Sequence, residues 1–395
     1  MSSTQHRRRS GAASLRRRAA ALGLAGSACA LALVGGPSSA WAERAGSTAA
    51  PAAAAVTPQL TPQLLGQVTL PSGASFRDTA FGGLSGITYD AERGVYYAIS
   101  DDRSQFDAAR FYTLRIDLTD GPLQAGVEVL STTPLRNAKG RTFAESSLDP
   151  ESIALTGRRT LVISSEGDAT RGYEAFVREF DLQGAQVGRF HVPDQYEPAA
   201  DGSSGIRNNL ALESGGITED GTTYFTGTEN ALAQDGTAAT TTTGSPSRLL
   251  RYRMADRRLL SEYVYEVEPV KSAPVPAEGF VTNGLVDLLP LSRTRLLALE
   301  RGFSTGVGNT ARLYVVDLAD ATDVRGRQAL PTDLAGVTPA GKTLVLDLAS
   351  LGITLDNLEG LTFGPELADG RRSLVLVSDD NFSATQQTQF LFFAV

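Results

Sequence analysis

The 395-residue chain has one cysteine, one tryptophan, two methionines and two histidines. Cys29, Trp41 and His6 all fall within the first 42 residues, so beyond them only His191 remains of these three types. Each scarcity excludes a class of chemistry. Without cysteine there is no disulfide framework and no Cys–His nucleophile. With one histidine, a zinc site of the usual His/Cys kind or a histidine–phosphate intermediate lacks its side chains. His191 lies in the alternating run Gly188-Arg189-Phe190-His191-Val192-Pro193, which reads as an outer strand. Amphipathic helices longer than a few turns are missing too, and the chain is read as having no G-x-S-x-G nucleophile elbow and no Walker-type loop.

Positive charge is also short. The chain carries 36 basic and 44 acidic side chains, a formal charge of −8. Six of the basic residues are Arg7–Arg9 and Arg16–Arg18, which precede an uncharged run from Ala19 to Val34 and the sequence Ala40-Trp41-Ala42. A basic start, a short apolar stretch and an A-x-A site together read as an export signal over residues 1–42. No acid precedes Glu43, so the remainder carries about −14. Nucleic acid and anionic membrane surfaces are poor partners for such a chain, and no stable membrane insertion is expected after cleavage. Residues 43–63, rich in Ala, Pro and Thr, read as a linker. The destination implied is secreted or periplasmic/cell envelope; Sec and twin-arginine export both stay open, as does the oligomeric state.

From Leu64 onward, short β-type runs alternate with Gly, Pro, Asp and Asn, and a period emerges. Five hairpins recur at residues 82–103, 148–168, 210–230, 283–303 and 356–382; anchored on Gly86, Ser152, Gly216, Gly284 and Gly360, they are 66, 64, 68 and 76 residues apart. Two further strand-like runs follow each of the first four. A unit of four antiparallel strands is a propeller blade, which predicts an all-β fold of five blades over residues 64–395. Six blades remain the alternative, drawing on 232–247 or 320–343. The fifth unit lacks an outer strand, and the orphan run Leu64–Pro71 is placed to supply it and close the ring. Residues 231–247 read as a mobile loop.

In a propeller, the head of the innermost strand and the tail of its neighbour face one channel mouth. That places Glu151 near Glu166, Glu213 near Glu229, Asn283 near Glu300, Glu359 near Asp379 and Asp380, and Ser85 near Asp101 and Asp102. Like charges so crowded require raised pKa values or a bound cation. Carboxylate oxygens without thiol or imidazole suit calcium, ahead of magnesium. For any single acid, a turn-forming role or a lock between blades is the competing reading. Arg103 and Arg301 directly follow acids and Arg171 lies five residues beyond Glu166, so these three are candidates to grip a phosphate; pairing with the adjacent acid is the alternative. Lys139 and Arg141, upstream of Asp149-Pro150-Glu151, read as a solvated loop.

The runs LSGITYD with AISDDR, DPES, NNLALESGGIT, LLALERGF with LYVVDL, and above all DNLEGLTFG with SDDNF, resemble the family described as having esterase-like activity of phytase, the phytase-like domain. The resemblance implies a β-propeller and hydrolysis of phosphate esters by carboxylate-bound metal. On that reading Glu151, Glu359 and Asp379 are the catalytic candidates, and a metal-activated water attacks phosphorus in a small phosphate ester. The second reading is a non-catalytic propeller whose acids are structural or hold a stabilising calcium, its channel mouth binding a small ligand or an envelope partner. Asn283 stands where the second and fifth units have Glu, and the third unit inserts a residue after Glu213, so the ring is not uniform.

Overall fold

The computed structural model describes residues 60–118 and 126–395, which lie in the compact unit Pro58–Val395. The expected signal segment and nearly all of the linker fall outside the described residues. None of the described helices is long and apolar enough to cross a membrane.

The chain opens with β1 (Gln63–Pro71) and a short hairpin of β2 (Ser75–Phe76) and β3 (Thr79–Ala80). Blade one is β4 (Leu84–Asp90), β5 (Val95–Ser100), β6 (Arg110–Ile116) and β7 (Val127–Pro134). Blade two is β8 (Pro150–Leu155), β9 (Thr160–Ser165), β10 (Phe176–Asp181) and β11 (Gln186–Phe190). Blade three is β12 (Leu212–Ile217), β13 (Thr223–Thr228), β14 (Ser245–Arg253) and β15 (Arg258–Val267). Blade four is β16 (Val281–Pro290), β17 (Arg295–Ser304), β18 (Gly308–Asp317) and β19 (Gly341–Asp347). Blade five is β20 (Asn357–Glu366), β21 (Arg372–Asp379) and β22 (Gln387–Ala394), completed by β1. The protein is therefore a five-bladed β-propeller. The innermost strands β4, β8, β12, β16 and β20 touch in that order, and β20 returns to β4.

Period-2 alternation explains why the blades stack. Within β5, Tyr96 and Ala98 face blade five while Tyr97 and Ile99 face blade two. Each strand therefore feeds two cores, as side chains on a pleated strand point alternately to opposite faces. The five principal cores lie between neighbouring blades, none within one. Ring closure follows expectation: β1 runs antiparallel to β22, with Val68 opposite Phe390, and Leu65, Val68 and Leu70 pack on the core between blades five and one.

Neither segment considered for a sixth blade forms one. Residues 320–340 leave blade four and lie along β15, where the Val324 and Ala340 amides donate to Glu262 and Val264. Residues 231–247 are pinned rather than loose. Arg248 grips Asp235 through Nε–Oδ2 (2.5 Å) and Nη2–Oδ1 (2.9 Å), and Ala239 N donates to Asn230 Oδ1 at 2.9 Å. Composition misses this because the anchoring partner, Arg248, belongs to the following strand.

Candidate functional site

One ladder position organises the channel mouth. Leu84, Pro150, Leu212, Leu285 and Leu358, near the heads of the inner strands, pair with Ser100, Ser165, Thr228, Glu300 and Ser378. In every blade the ladder then skips, and the extra residue is Ser85, Glu151 (with Ser152), Glu213, Val286 or Glu359. A β-bulge bends its strand and re-aims the extra side chain. One residue beyond the pair on the second strand stand Asp101, Glu166, Glu229, Arg301 and Asp379. The site is thus two sets of five equivalent positions, three bulge glutamates and four tail acids, with Arg301 replacing the fifth acid.

Buried carboxylate oxygens converge in three overlapping groups, each with its oxygens within 4.8 Å of one another: Asp149, Glu151 and Glu166; Glu151, Glu213 and Glu359; Glu166, Glu213 and Glu229. Asn357 Nδ2 links Glu359 (2.8 Å) to Asp379 (3.2 Å), and Asp101 lies close enough for Asp379 to raise its pKa. Burial, then mutual repulsion, pushes Asp101, Glu151, Glu166, Glu213 and Asp379 well above the carboxylate range. Burial pushes Glu229 up to about 7 against the pull of Arg301, and Asp149 up to about 6 against the pull of Arg103. Burial opposes the charge on Arg301, but Glu359, Glu229 and Glu213 more than offset it.

The expected ligands do not all gather here. Asp102 turns away, bonded to Arg110 at 2.6 Å and to the amides of Gln105, Phe106 and Asp107. Glu300 points between blades three and four, to Tyr265 (2.8 Å), Asn283 (2.9 Å) and Lys342 (2.7 Å). The reason is register: Glu300 sits at the level of Ser100 and Thr228, and Arg301 takes the position aligned with the acids. Asp380 ties blade five to blade one, accepting from the Gly83 and Phe382 amides at 2.9 and 3.1 Å.

The arginines divide similarly. Arg301 lies inside the carboxylate set, with Nη2 2.8 Å from Glu359 and Nη1 3.7 Å from Glu229. Arg171 is exposed and pairs with its neighbour Asp168 at 3.6 Å. Arg103 sits at the edge of the mouth, its side chain 28% exposed, with Nε 2.8 Å from Asp149 and Nη2 2.5 Å from Asn209.

Sequence reasoning missed Asp149 as a member of the site, although it heads the quoted Asp-Pro-Glu-Ser run. It also missed Asp287, which follows the Val286 bulge and accepts from Leu288 N (2.8 Å), Gly215 N (3.3 Å) and Leu361 N (2.8 Å), joining three inner strands. Two motif strings were also overlooked. Gly302–Gly306 reads G-x-S-x-G, but Ser304 ends β17 and donates to Ser272 O, with no helix behind it. Gly336–Thr343 reads G-x-x-x-x-G-K-T, but it leads into β19 and its Lys342 is held by Glu268 and Glu300.

The donors fit a hard cation. Each group offers three buried carboxylate oxygens within 4.8 Å of one another and neither thiol nor imidazole, a donor set that suits calcium ahead of magnesium. Buried polar atoms around the mouth lack hydrogen-bond partners among the described residues: Asp101 Oδ1, Glu229 Oε1 and Arg301 Nε. Such atoms are costly unless another ligand satisfies them. A cavity of about 970 Å³ lies elsewhere, between the 233–237 loop and residues 330–334.

Fold and site together define a class: a five-bladed propeller with a buried acidic constellation at one channel mouth. The chain belongs to the phytase-like family, described as esterase-like activity of phytase, whose sequence model matches residues 79–382. No curated protein matches it. Among solved structures it is similar to a putative glycoside hydrolase from Parabacteroides distasonis (11% identity, TM-score 0.41, covering 85% of this chain and 94% of that one). An alpha-L-arabinofuranosidase from Lactobacillus brevis matches at 10% identity and TM-score 0.42, covering 79% of this chain and 91% of that one. The tail fiber of Staphylococcus aureus phage P68 matches at 9% identity and TM-score 0.37 over 84% of this chain, which spans 52% of the fiber chain.

Proposed function

We propose that the protein is an exported, calcium-dependent hydrolase of phosphate esters, with its site at the acidic channel mouth. The observation that carries this reading is the convergence of buried carboxylates from several blades together with unpartnered polar atoms among them. Glu151, Glu166, Glu213, Glu229 and Glu359 would hold the ion, with Asp101, Asp149 and Asp379 at its flanks. A calcium ion held there would supply Lewis-acid stabilisation of the charge on a phosphoryl oxygen.

The chain's own residues account for the rest. Arg103, fixed by Asp149 and Asn209, has no hydrogen bond at Nη1 among the described residues and can donate it to a phosphate oxygen at the mouth. Glu151, Glu359 and Asp379 are the candidates to take the proton of the attacking water, since burial raises the affinity of each for a proton. As water adds to phosphorus and the ester P–O bond breaks, the proton taken from the water by the carboxylate is passed to the leaving alkoxide, which departs as the alcohol and restores the carboxylate.

One observation favours the second reading, a non-catalytic propeller stabilised by calcium. Arg301 already gives the carboxylates an internal counter-charge, as a purely structural cluster would require. Hydrolysis of p-nitrophenyl phosphate, its bis-ester and phytate, with calcium, magnesium or chelator, separates the two. Calcium-dependent turnover lost in Glu359→Gln and Asp379→Asn supports the enzyme. Turnover unchanged by both variants removes it, and a melting shift with calcium but no turnover leaves the stabilised scaffold.

A further inference from the structure

Blade two carries a cationic cleft on its outer side, on the strands farthest from the channel. In the β10–β11 ladder Arg178 stands directly opposite Arg189, a like-charge cross-strand pair that is destabilising in isolation. The Arg178 side chain is half-buried, and its guanidinium carbon lies over the Phe176 ring, 3.8 Å from its centre, and 5.7 Å from that of Phe143. Stacking fixes the plane of a guanidinium while leaving its N–H edge free to donate.

A rigid turn brings two more cations to the same place. Asn137 Oδ1 accepts from Lys139 N (2.9 Å) and Arg141 N (3.3 Å), and the turn is bound to the edge of blade two by Arg136 N to Gly184 O (2.7 Å) and Gln186 N to Arg136 O (3.0 Å). Lys139, Arg141, Arg178 and Arg189, with Asn137 and Gln186, line a cleft of about 330 Å³ that has no acidic side chain in its wall. Among the described residues none of these four cations forms an ion pair, in a chain with eight more acids than bases. Glu174, the acid that acts on Arg178, lines an adjoining hollow that Arg178 shares, and Arg178 and Arg189 also border a hollow that holds Glu174, Asp194 and Glu197; none of these acids forms an ion pair with either arginine.

We propose that this cleft binds a multiply charged oxyanion of the phosphate type, with the stacked Arg178 as its anchor and Arg189, Lys139 and Arg141 closing around it. A dense negative charge between Arg178 and Arg189 turns their repulsion into two attractions, and donors arriving from two strands and a turn suit oxygens that project in several directions. The phosphate group can be free or carried on a lipid head. The site is independent of the channel mouth and requires no metal.

The test is calorimetric titration of the protein with pyrophosphate in the presence of chelator, which silences a cation-dependent channel site. Saturable binding is expected, weakened about tenfold or more in Arg178→Gln and Arg189→Gln, and unchanged in Glu359→Gln. Arg189→Gln, exposed and less demanding on the fold, should also melt higher than wild type without anion, and lose the stabilisation that pyrophosphate gives wild type. Sedimentation with phosphatidic acid vesicles, whose head is a phosphomonoester, against phosphatidylcholine controls, assigns the source. Co-sedimentation that depends on Arg178 places the phosphate on a lipid; pyrophosphate binding without it places the phosphate in solution. Absence of saturable binding, or equal binding by wild type and both arginine variants, overturns the proposal.

Discussion

Arg301 Nη2 donates to Glu359 Oε1 at 2.8 Å, reaching from blade four to blade five out of a ladder position that carries a carboxylate in the other four blades. It is the cation built into the acidic set, and its loss leaves Glu213, Glu229 and Glu359 without their nearest counter-charge. Arg301→Met is expected to destabilise the chelated protein by about 3–5 kcal/mol, as breaking one partner from a buried pair does. Calcium should recover most of that loss and bind more tightly to the variant, both measurable by urea unfolding. Equal destabilisation with and without calcium would show that Arg301 acts through packing alone.

The titration of the site gives a second prediction. Asp149 and Glu229 are pushed up to about 6 and about 7, chiefly by burial. An acid whose folded pKa is raised holds its proton longer in the native state, so its stabilising share is full at low pH and drains as pH rises through the folded value. The chelated protein should therefore lose stability between about pH 4 and 7, and calcium should flatten that slope because bound carboxylates are ionised. Asp287, pushed up to about 8 by burial, should leave a residual slope near pH 8 that calcium does not remove and Asp287→Asn does. Melting temperatures across this range, with calcium or chelator, check both parts.

Much of this was legible in the sequence. The recurring hairpins, the five units and the closing role of Leu64–Pro71 follow from period-2 alternation and turn residues, signals that short antiparallel strands write into the text. Register was harder. A bulge adds a residue without any signature in composition, so Asn283 was aligned with the glutamates although Val286 holds that place, and Glu300 was read as a ligand although its neighbour Arg301 faces the cluster. The Arg178–Arg189 opposition was equally hidden, because it exists only once β10 and β11 are paired.

Two glycines in the same blade separate backbone strain from site geometry. Gly83 and Gly94 both have left-handed φ, +65° and +63°. A Cβ at Gly83 would strike the Asp101 carboxylate and the Phe382 ring, whereas one at Gly94 meets nothing within 4 Å. Both alanine substitutions should cost about 1–2 kcal/mol for the left-handed backbone. Only Gly83→Ala should also displace Asp101 and weaken calcium binding, read by calorimetry. Equal calcium affinity in the two variants would place Asp101 outside the cation site.

Ring closure carries the last prediction. Because the principal cores are shared between neighbours, no blade owns one, and releasing β1 exposes two things at once: the edge of β22 and the core lined by Phe390 and Phe392. An open, apolar strand edge recruits other chains. A protein lacking residues 1–71 should therefore self-associate on size exclusion or fail to fold, rather than lose blade five alone. A point variant gives the graded version. Val68→Asp places a charge opposite Phe390 on the half-buried face of β1 and should cost about 1–3 kcal/mol, while Gln67→Ala, on the exposed alternate position, should cost less than about 1 kcal/mol. Unfolding followed by circular dichroism should stay a single transition in both, shifted to lower denaturant in Val68→Asp. A separate early transition confined to blade five would show that the closing strand is an accessory and not part of the cooperative ring.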